Sequence, residues 1–276
     1  MSSSAKKQKG ALFVFIFIAI EILLYLVYMY MDIMIASDKV SADSTLAAVM
    51  RSGVLGPTYI KYYSIILCLV ISVIYYYKNR DKDTINEYSL LVGAMFFTAV
   101  SDYFLLIRND YLVPGLISFC IVHGIYLFVI TCKDIKTTAI YTGARIGIAI
   151  VITVILKTTG VIKYSNDSAM NAVLFLALLY GISFVWNILL LAVKIINHNT
   201  DQSKDKPKVC EFPHPVMFMI GLLLFLICDI NVLIFNLGAY ISISSDLFLV
   251  LQTAATILMW TFYLPAQVLI VLSVLL

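Results

Sequence analysis

Two aspartates stand inside apolar runs that give a carboxylate almost nothing to bond: Asp102 in FFTAVSDYFLLI (96–107) and Asp229 in LFLICDINV (224–232). A histidine, His123, lies in a similar run, FCIVHGIYLF (119–128). Ionisable groups at membrane depth cost at least ~2.5–3.5 kcal/mol each, so they face a bundle interior or a wet cavity and mark functional sites by default. Two buried carboxyls at short range tend to share one proton, which supplies a general acid and a general base from one residue type. The chemistry to expect is therefore proton transfer to a substrate, with a carboxylate left to stabilise a cation or to activate water.

Other polar residues join them. Gln252, Thr253, Thr256, Trp260, Tyr263 and Gln267 recur at three- and four-residue spacing, one polar stripe on an otherwise apolar helix. For Thr253 and Thr256 interhelical hydrogen bonding is explanation enough. Tyr263 and Gln267 carry more polar reach than packing requires. Asn236 falls two turns beyond Asp229 on the same face and fits a cavity lining. Glu21 stands alone in the first run, facing either a neighbouring helix or lipid, and Arg145 is expected to snorkel to the headgroups. The thirteen other acids of the sixteen fall in loops or at the ends of apolar runs.

The elements that hold these residues follow from composition. The 276 residues are 62% hydrophobic and 13% charged, where a soluble domain is about one quarter charged. With a mean hydropathy of +0.98 and recurrent apolar runs of membrane length, the class is all-α, a polytopic transmembrane bundle forming one integral membrane domain over residues 1–276. Eight spans are expected at about 11–34, 58–77, 89–107, 114–132, 139–156, 169–196, 215–236 and 247–274. The basic start, MSSSAKKQKG, precedes an apolar run with no clear small-residue cleavage site, so a retained first span is expected. Lys and Arg concentrate in the N-terminal tail and in the 78–88, 133–138 and 194–208 segments, which places both termini in the cytoplasm. Plasma membrane and endomembrane are not distinguished by these features.

The net charge of +3 is too small to suggest a nucleic-acid partner, and none is expected; the five cysteines show neither disulfide nor zinc spacing. One mid-span histidine is too few for a metal centre, and no cofactor is expected. Membrane lipids are the expected surroundings, and self-association into a homo-oligomer stays open.

The segments GAMFFTAVSDYFLLI (93–107) and VPGLISFCIVHGIYLF (113–128) resemble the paired third and fourth spans of the YhhN-like lysoplasmalogenase family through Asp102, Gly115, Phe119, His123 and Tyr126. IGLLLFLICDINVLIFN is similar to the family's seventh span through Gly221, Phe225 and Asp229. WTFYLPAQVLIVLS is similar to its eighth through Tyr263, Ala266, Gln267 and Ser273. Lys61 matches a lysine that opens the second span. The resemblance runs from about residue 58 onward. The chain departs from the pattern at Ser101 and Cys228, where the family carries Gly and Ser, and it lacks a proline after Lys61.

The resemblance implies an eight-span hydrolase that opens the vinyl ether of a lysophospholipid, lysoplasmalogen, to a fatty aldehyde and glycerophosphoethanolamine or glycerophosphocholine. A vinyl ether is opened by acid through an oxocarbenium ion, so a carboxylic acid, a carboxylate and a water suffice, as in glycosidases. The two aspartates divide these roles; the residues leave open which is the acid, and Asp102 is taken as the acid with Asp229 as stabiliser and base. His123 orients a carboxylate or relays protons, Tyr126, Tyr263, Gln267 and Asn236 line the substrate site, and Lys61 meets the phosphate. The rival is a proton-coupled transporter, or another lipid-handling membrane protein such as a scramblase, using the same acids. Asp102 and Asp229 lie four spans apart in helices of one direction, but the fourth and eighth spans share no polar pattern. An intramembrane aspartyl protease fits less well, because the contexts here are VSD, ICD and LPAQ.

Overall fold

The computed structural model describes residues 3–36, 56–78, 85–108, 111–159, 168–200, 214–237 and 246–275. Its elements are α1 (Ser3–Ala36), α2 (Pro57–Lys78), α3 (Ile85–Asp102), a π-helical segment (Tyr103–Arg108), α4 (Leu112–Ile130), α5 (Ile135–Thr159), α6 (Ser168–Thr200), α7 (Pro215–Asn236) and α8 (Asp246–Leu275). Eight helices among the described residues are long and apolar enough to cross a membrane. The seventh has the expected bounds, and the other seven differ from expectation by one to four residues.

Helix α8 is the hub. It packs on α1, α2, α3 and α7, while α5 lies outermost against α6 and α4. Apolar side chains gain little by leaving lipid for protein, so close packing and interhelical hydrogen bonds must hold such a bundle. Gly221 lets α7 meet α8 backbone to backbone: a Cβ there would sit 2.9 Å from Ile270 Cγ1 and 3.1 Å from the Ala266 carbonyl oxygen. Between α3 and α4, Ser101 Oγ donates to the Gly115 carbonyl at 2.7 Å. The serine where the family pattern has glycine is thus an interhelical tie directly before Asp102.

The helix changes character at that point. Backbone bonding widens from α to π immediately after Asp102, a local expansion frequent at functional sites. No residue of YFLLIR signals it in the sequence.

At the opposite end, α4 closes through Cys132 and Lys133, both left-handed (φ 60° and 61°). Asp134 then caps α5, accepting from the Lys136 N–H at 3.1 Å and the Thr137 hydroxyl at 2.5 Å. The Lys194 ammonium on α6 donates to the Ile130 carbonyl and ties this turn to the bundle. Cys132 is disulfide-bonded, whereas Cys68, Cys120 and Cys228 are free. The cysteine spacing in the sequence carries no sign of this bond.

Candidate functional site

Asp102, at the last position of α3 before the π segment, is 5% exposed. Its Oδ2 accepts a hydrogen bond from Tyr263 Oη of α8 at 2.7 Å. Asp229, half-buried on α7, accepts from Tyr180 Oη of α6 at 2.6 Å. The thiol of Cys228 lies within electrostatic range of both carboxyls. Each acid therefore has a phenol as its partner.

An aromatic cluster holds the two phenols. Phe225, one turn before Asp229, meets Tyr263 at 5.2 Å, Phe184 at 5.0 Å and Phe119 at 5.7 Å between ring centroids. Tyr180 packs on Phe119 at 5.4 Å and on His123 at 5.0 Å. Such tilted and edge-on ring pairs add about 0.5–1.5 kcal/mol each beyond simple burial. That energy fixes the hydroxyls without placing a charge beside either carboxyl.

His123 is fully buried, but it does not orient a carboxylate. Its Nδ1 lies 3.3 Å from Asn187 Nδ2, which also donates to the His123 carbonyl at 3.0 Å. Asn187 Oδ1 accepts from Arg145 Nη2 at 2.6 Å, and the Arg145 guanidinium stands 6.0 Å from the Trp186 ring centre. Arg145 is 2% exposed, so it turns inward instead of snorkelling, because Asn187 and Trp186 offer it a better site than the membrane surface. The carboxylate bond expected of the histidine is made by Tyr180, to Asp229.

Of the other expected residues, Tyr126 lies inside, edge-on to His123 and Phe218 at 5.7 and 5.3 Å. Gln267 is fully buried one turn beyond Tyr263. Among the described residues, neither Gln267 amide atom, nor Tyr126 Oη, His123 Nε2 or Thr98 Oγ1, has a hydrogen-bond partner. Thr98 sits one turn before Asp102. Buried polar atoms are rarely left unpaired, so this group has capacity for water or a polar substrate.

Asn236 is not part of the site. It is exposed at the end of α7 and donates to the Val232 carbonyl at 2.8 Å, satisfied by its own helix. The buried amide on α7 is Asn231, which donates to Ile227 O at 2.7 Å. The stripe on α8 divides in the same way. Thr253 and Thr256 are exposed and bond their own backbone, and Gln252 ties to the Phe235 carbonyl at 2.8 Å. From Trp260 onward the stripe turns into the bundle.

Lys61 is buried too. Its ammonium pairs with Asp32 Oδ2 at 2.6 Å and stands 4.7 Å from the Trp260 ring centre and 5.6 Å from that of Tyr28. Tyr28 Oη donates to the Trp260 carbonyl at 2.9 Å. Glu21 faces α2, where Ser64 Oγ and Cys68 Sγ donate to it.

Sequence reasoning missed Asp32, Tyr28 and Tyr180. Tyr28 and Asp32 share an i, i+4 face of α1, a findable signal, whereas Tyr180 is one of eighteen tyrosines with nothing to single it out. Among the described residues, no three His, Cys, Asp or Glu side chains gather as metal ligands.

Neither the curated proteins nor the solved structures contain a match to this chain. The YhhN family model does match, over residues 58–274, which include Asp102, Asp229, Lys61, both partner tyrosines and helices α2 to α8 but for the first residue of α2 and the last of α8. The chain belongs to the YhhN family.

Proposed function

We propose that this protein hydrolyses the vinyl ether bond of lysoplasmalogen, releasing a fatty aldehyde and a glycerophospho-alcohol. Family membership supports the reaction class. The observation that carries the reading is the pair of aspartates, each bonded through one oxygen to a tyrosine within one aromatic cluster.

Asp102, the more enclosed of the two, is the acid. It delivers its proton to the vinyl carbon remote from the ether oxygen, and the adjacent carbon becomes an oxocarbenium ion. The new Asp102 carboxylate keeps its bond from Tyr263. Asp229, the more accessible, is assigned as the anion: it faces the cation and takes a proton from water as the water oxygen bonds to the cationic carbon. The product is a hemiacetal. Asp102 then removes the hemiacetal hydroxyl proton while Asp229 returns its proton to the glycerol oxygen. The carbon–oxygen bond breaks, aldehyde and alcohol leave, and both carboxyls regain their starting states. One water is consumed. Gln267 and Thr98, each one turn from a member of the Tyr263–Asp102 pair, hold that water or the glycerol oxygens. The carboxylate pair stabilises the oxocarbenium as glycosidase carboxylates do.

The test is to incubate purified protein with lysoplasmalogen and, separately, with an ester lysophospholipid, assaying free aldehyde and free fatty acid. Aldehyde alone is expected. Fatty acid would mark an esterase, and neither product would favour transport.

A further inference from the structure

The ammonium of Lys61 occupies a cation site that the proposed chemistry does not use. Tyr28 and Asp32 of α1 and Trp260 of α8 enclose it: a carboxylate at 2.6 Å and two ring faces at 4.7 and 5.6 Å. The Tyr28 hydroxyl, donating to the Trp260 carbonyl, ties its ring to the stretch of α8 backbone that carries the indole. A carboxylate beside converging aromatic faces is the chemistry that recognises quaternary and primary ammonium groups. Lys61 belongs to α2 and reaches the site on a flexible four-carbon stem, so it can leave while the box remains.

Trp260 is shared with the aspartate site. Its ring meets Tyr263 edge-on at 5.4 Å and 90°, and Tyr263 bonds Asp102. The cation box and the acid are thus linked through two edge-on side chains of one helix. In a lysophospholipid, the glycerol and the phosphodiester likewise link the ether to the ammonium.

We propose that Asp32, Tyr28 and Trp260 form the subsite for the ammonium of a zwitterionic lysophospholipid headgroup. Lys61 fills it when no lipid is bound and moves to the headgroup phosphate when one is. Charges then match one to one: the incoming ammonium replaces Lys61 against Asp32, and Lys61 pairs with the phosphate. An anionic headgroup without an ammonium strands Asp32 as an unpaired buried carboxylate, which is strongly unfavourable. Asp32 and Tyr28 therefore determine headgroup class from a helix that precedes the family-matched region. The substrate identity rests on the proposed lysoplasmalogen reading; the cation site itself does not.

Two readouts separate these ideas. In the first, aldehyde release is compared for alkenyl lysolipids bearing phosphocholine and bearing bare phosphate, using the wild-type protein, Asp32→Asn and Asp32→Glu. The wild type is expected to prefer the phosphocholine lipid in kcat/KM, and Asp32→Asn to erode that preference about tenfold, the scale of one desolvated cation contact. Asp32→Glu, which keeps the charge, retains most of it. An unchanged preference in well-folded Asp32→Asn overturns the subsite and leaves the hydrolase intact.

The second readout needs no turnover. Trp186→Phe leaves Trp260 as the only tryptophan, and its fluorescence is titrated with glycerophosphocholine and with glycerol 3-phosphate. A saturable change with the first, weak with the second and lost in Asp32→Asn, supports the site even if no aldehyde ever forms. Equal responses to both, or none, refute it.

Discussion

Replacing Tyr263 by Phe removes one hydroxyl and leaves the ring packed on Phe225 and Trp260. In the proposed reaction Asp102 becomes a carboxylate as its proton moves to the vinyl carbon, inside a cluster where no cation is bonded to it. The Tyr263 hydroxyl, 2.7 Å from Oδ2, then donates to a developing charge. A hydrogen bond to a charged, buried partner is worth about 1.5–3 kcal/mol, and each ~1.4 kcal/mol is tenfold in rate. Tyr263→Phe should therefore lower kcat by about 10- to 100-fold. Because that charge exists in the transition state and not in the bound ground state, KM should change by less than about threefold. In the same proposed reaction Tyr180→Phe acts on the carboxyl assigned as the resting anion, so its loss should be spread between kcat and KM. The assay couples released aldehyde to an aldehyde dehydrogenase, with thermal unfolding in the same detergent to exclude misfolding. A folded Tyr263→Phe protein with kcat within twofold of wild type would refute Asp102 as the proton donor.

Asp102→Asn and Asp229→Asn should each lose nearly all aldehyde release while still purifying as monodisperse protein; turnover near normal in either removes the two-carboxyl mechanism. Gly221→Ala drives a methyl into the Ala266 carbonyl and Ile270, and overpacking at a backbone contact costs roughly 1–3 kcal/mol. A clear drop in melting temperature is expected, with activity falling alongside because α7 and α8 carry Asp229 and Tyr263. Ser101→Gly restores the family residue but deletes the tie to Gly115; about 0.6 kcal/mol of stability should go, with aldehyde release kept, and abolished activity would make Ser101 part of the site. Outside the membrane, the Thr137 hydroxyl, with the N–H groups of Lys136 and Thr137, holds the Asp134 carboxyl below the usual aspartate range. Its contribution to α5 is complete above the ordinary aspartate value and is lost as pH falls through the depressed one. A wild-type stability advantage over Asp134→Ala should therefore be present near neutrality and vanish only in strong acid, as read by melting temperature against pH.

Much of this architecture was legible because membrane thickness turns apolar length into a count of helices. The seventh helix was readable to the residue, since Pro215 is suited to a first helical turn and polar Asn236 closes the run. The carboxyls stood out because a charged letter in an apolar run has few innocent explanations. Their partners did not. Tyrosine is half apolar, so Tyr180 reads as ordinary membrane composition until the fold shows where its hydroxyl points. Asn236 misled for the opposite reason: the face of a residue is predictable from period, but whether a helix end is enclosed depends on its neighbours. Arg145 misled because snorkelling assumes a lipid-facing side chain, and Asn187, forty-two positions away, faces it instead. The π segment left no trace, since a change of one backbone register has no residue of its own.

The choice of tyrosine as partner has a chemical consequence. The bundle does bury cations, but it assigns them elsewhere: Lys61 to Asp32 and Arg145 to Asn187, with the half-buried Lys194 on the Ile130 carbonyl. A guanidinium or ammonium bonded to Asp102 would hold it as a permanent carboxylate and remove it as a proton donor. A phenol bonds either form, donating to the anion and accepting from the acid, so it positions the group across a full proton cycle. Tyr180 gives Asp229 the same freedom, which the hemiacetal step needs when Asp229 carries the transferred proton. A cation introduced at either tyrosine should thus abolish turnover more completely than Phe does, and the test is whether Tyr263→Lys falls well below Tyr263→Phe in aldehyde release at equal folded protein. Equal residual rates would show that the carboxyl's protonation cycle is not what the phenol protects.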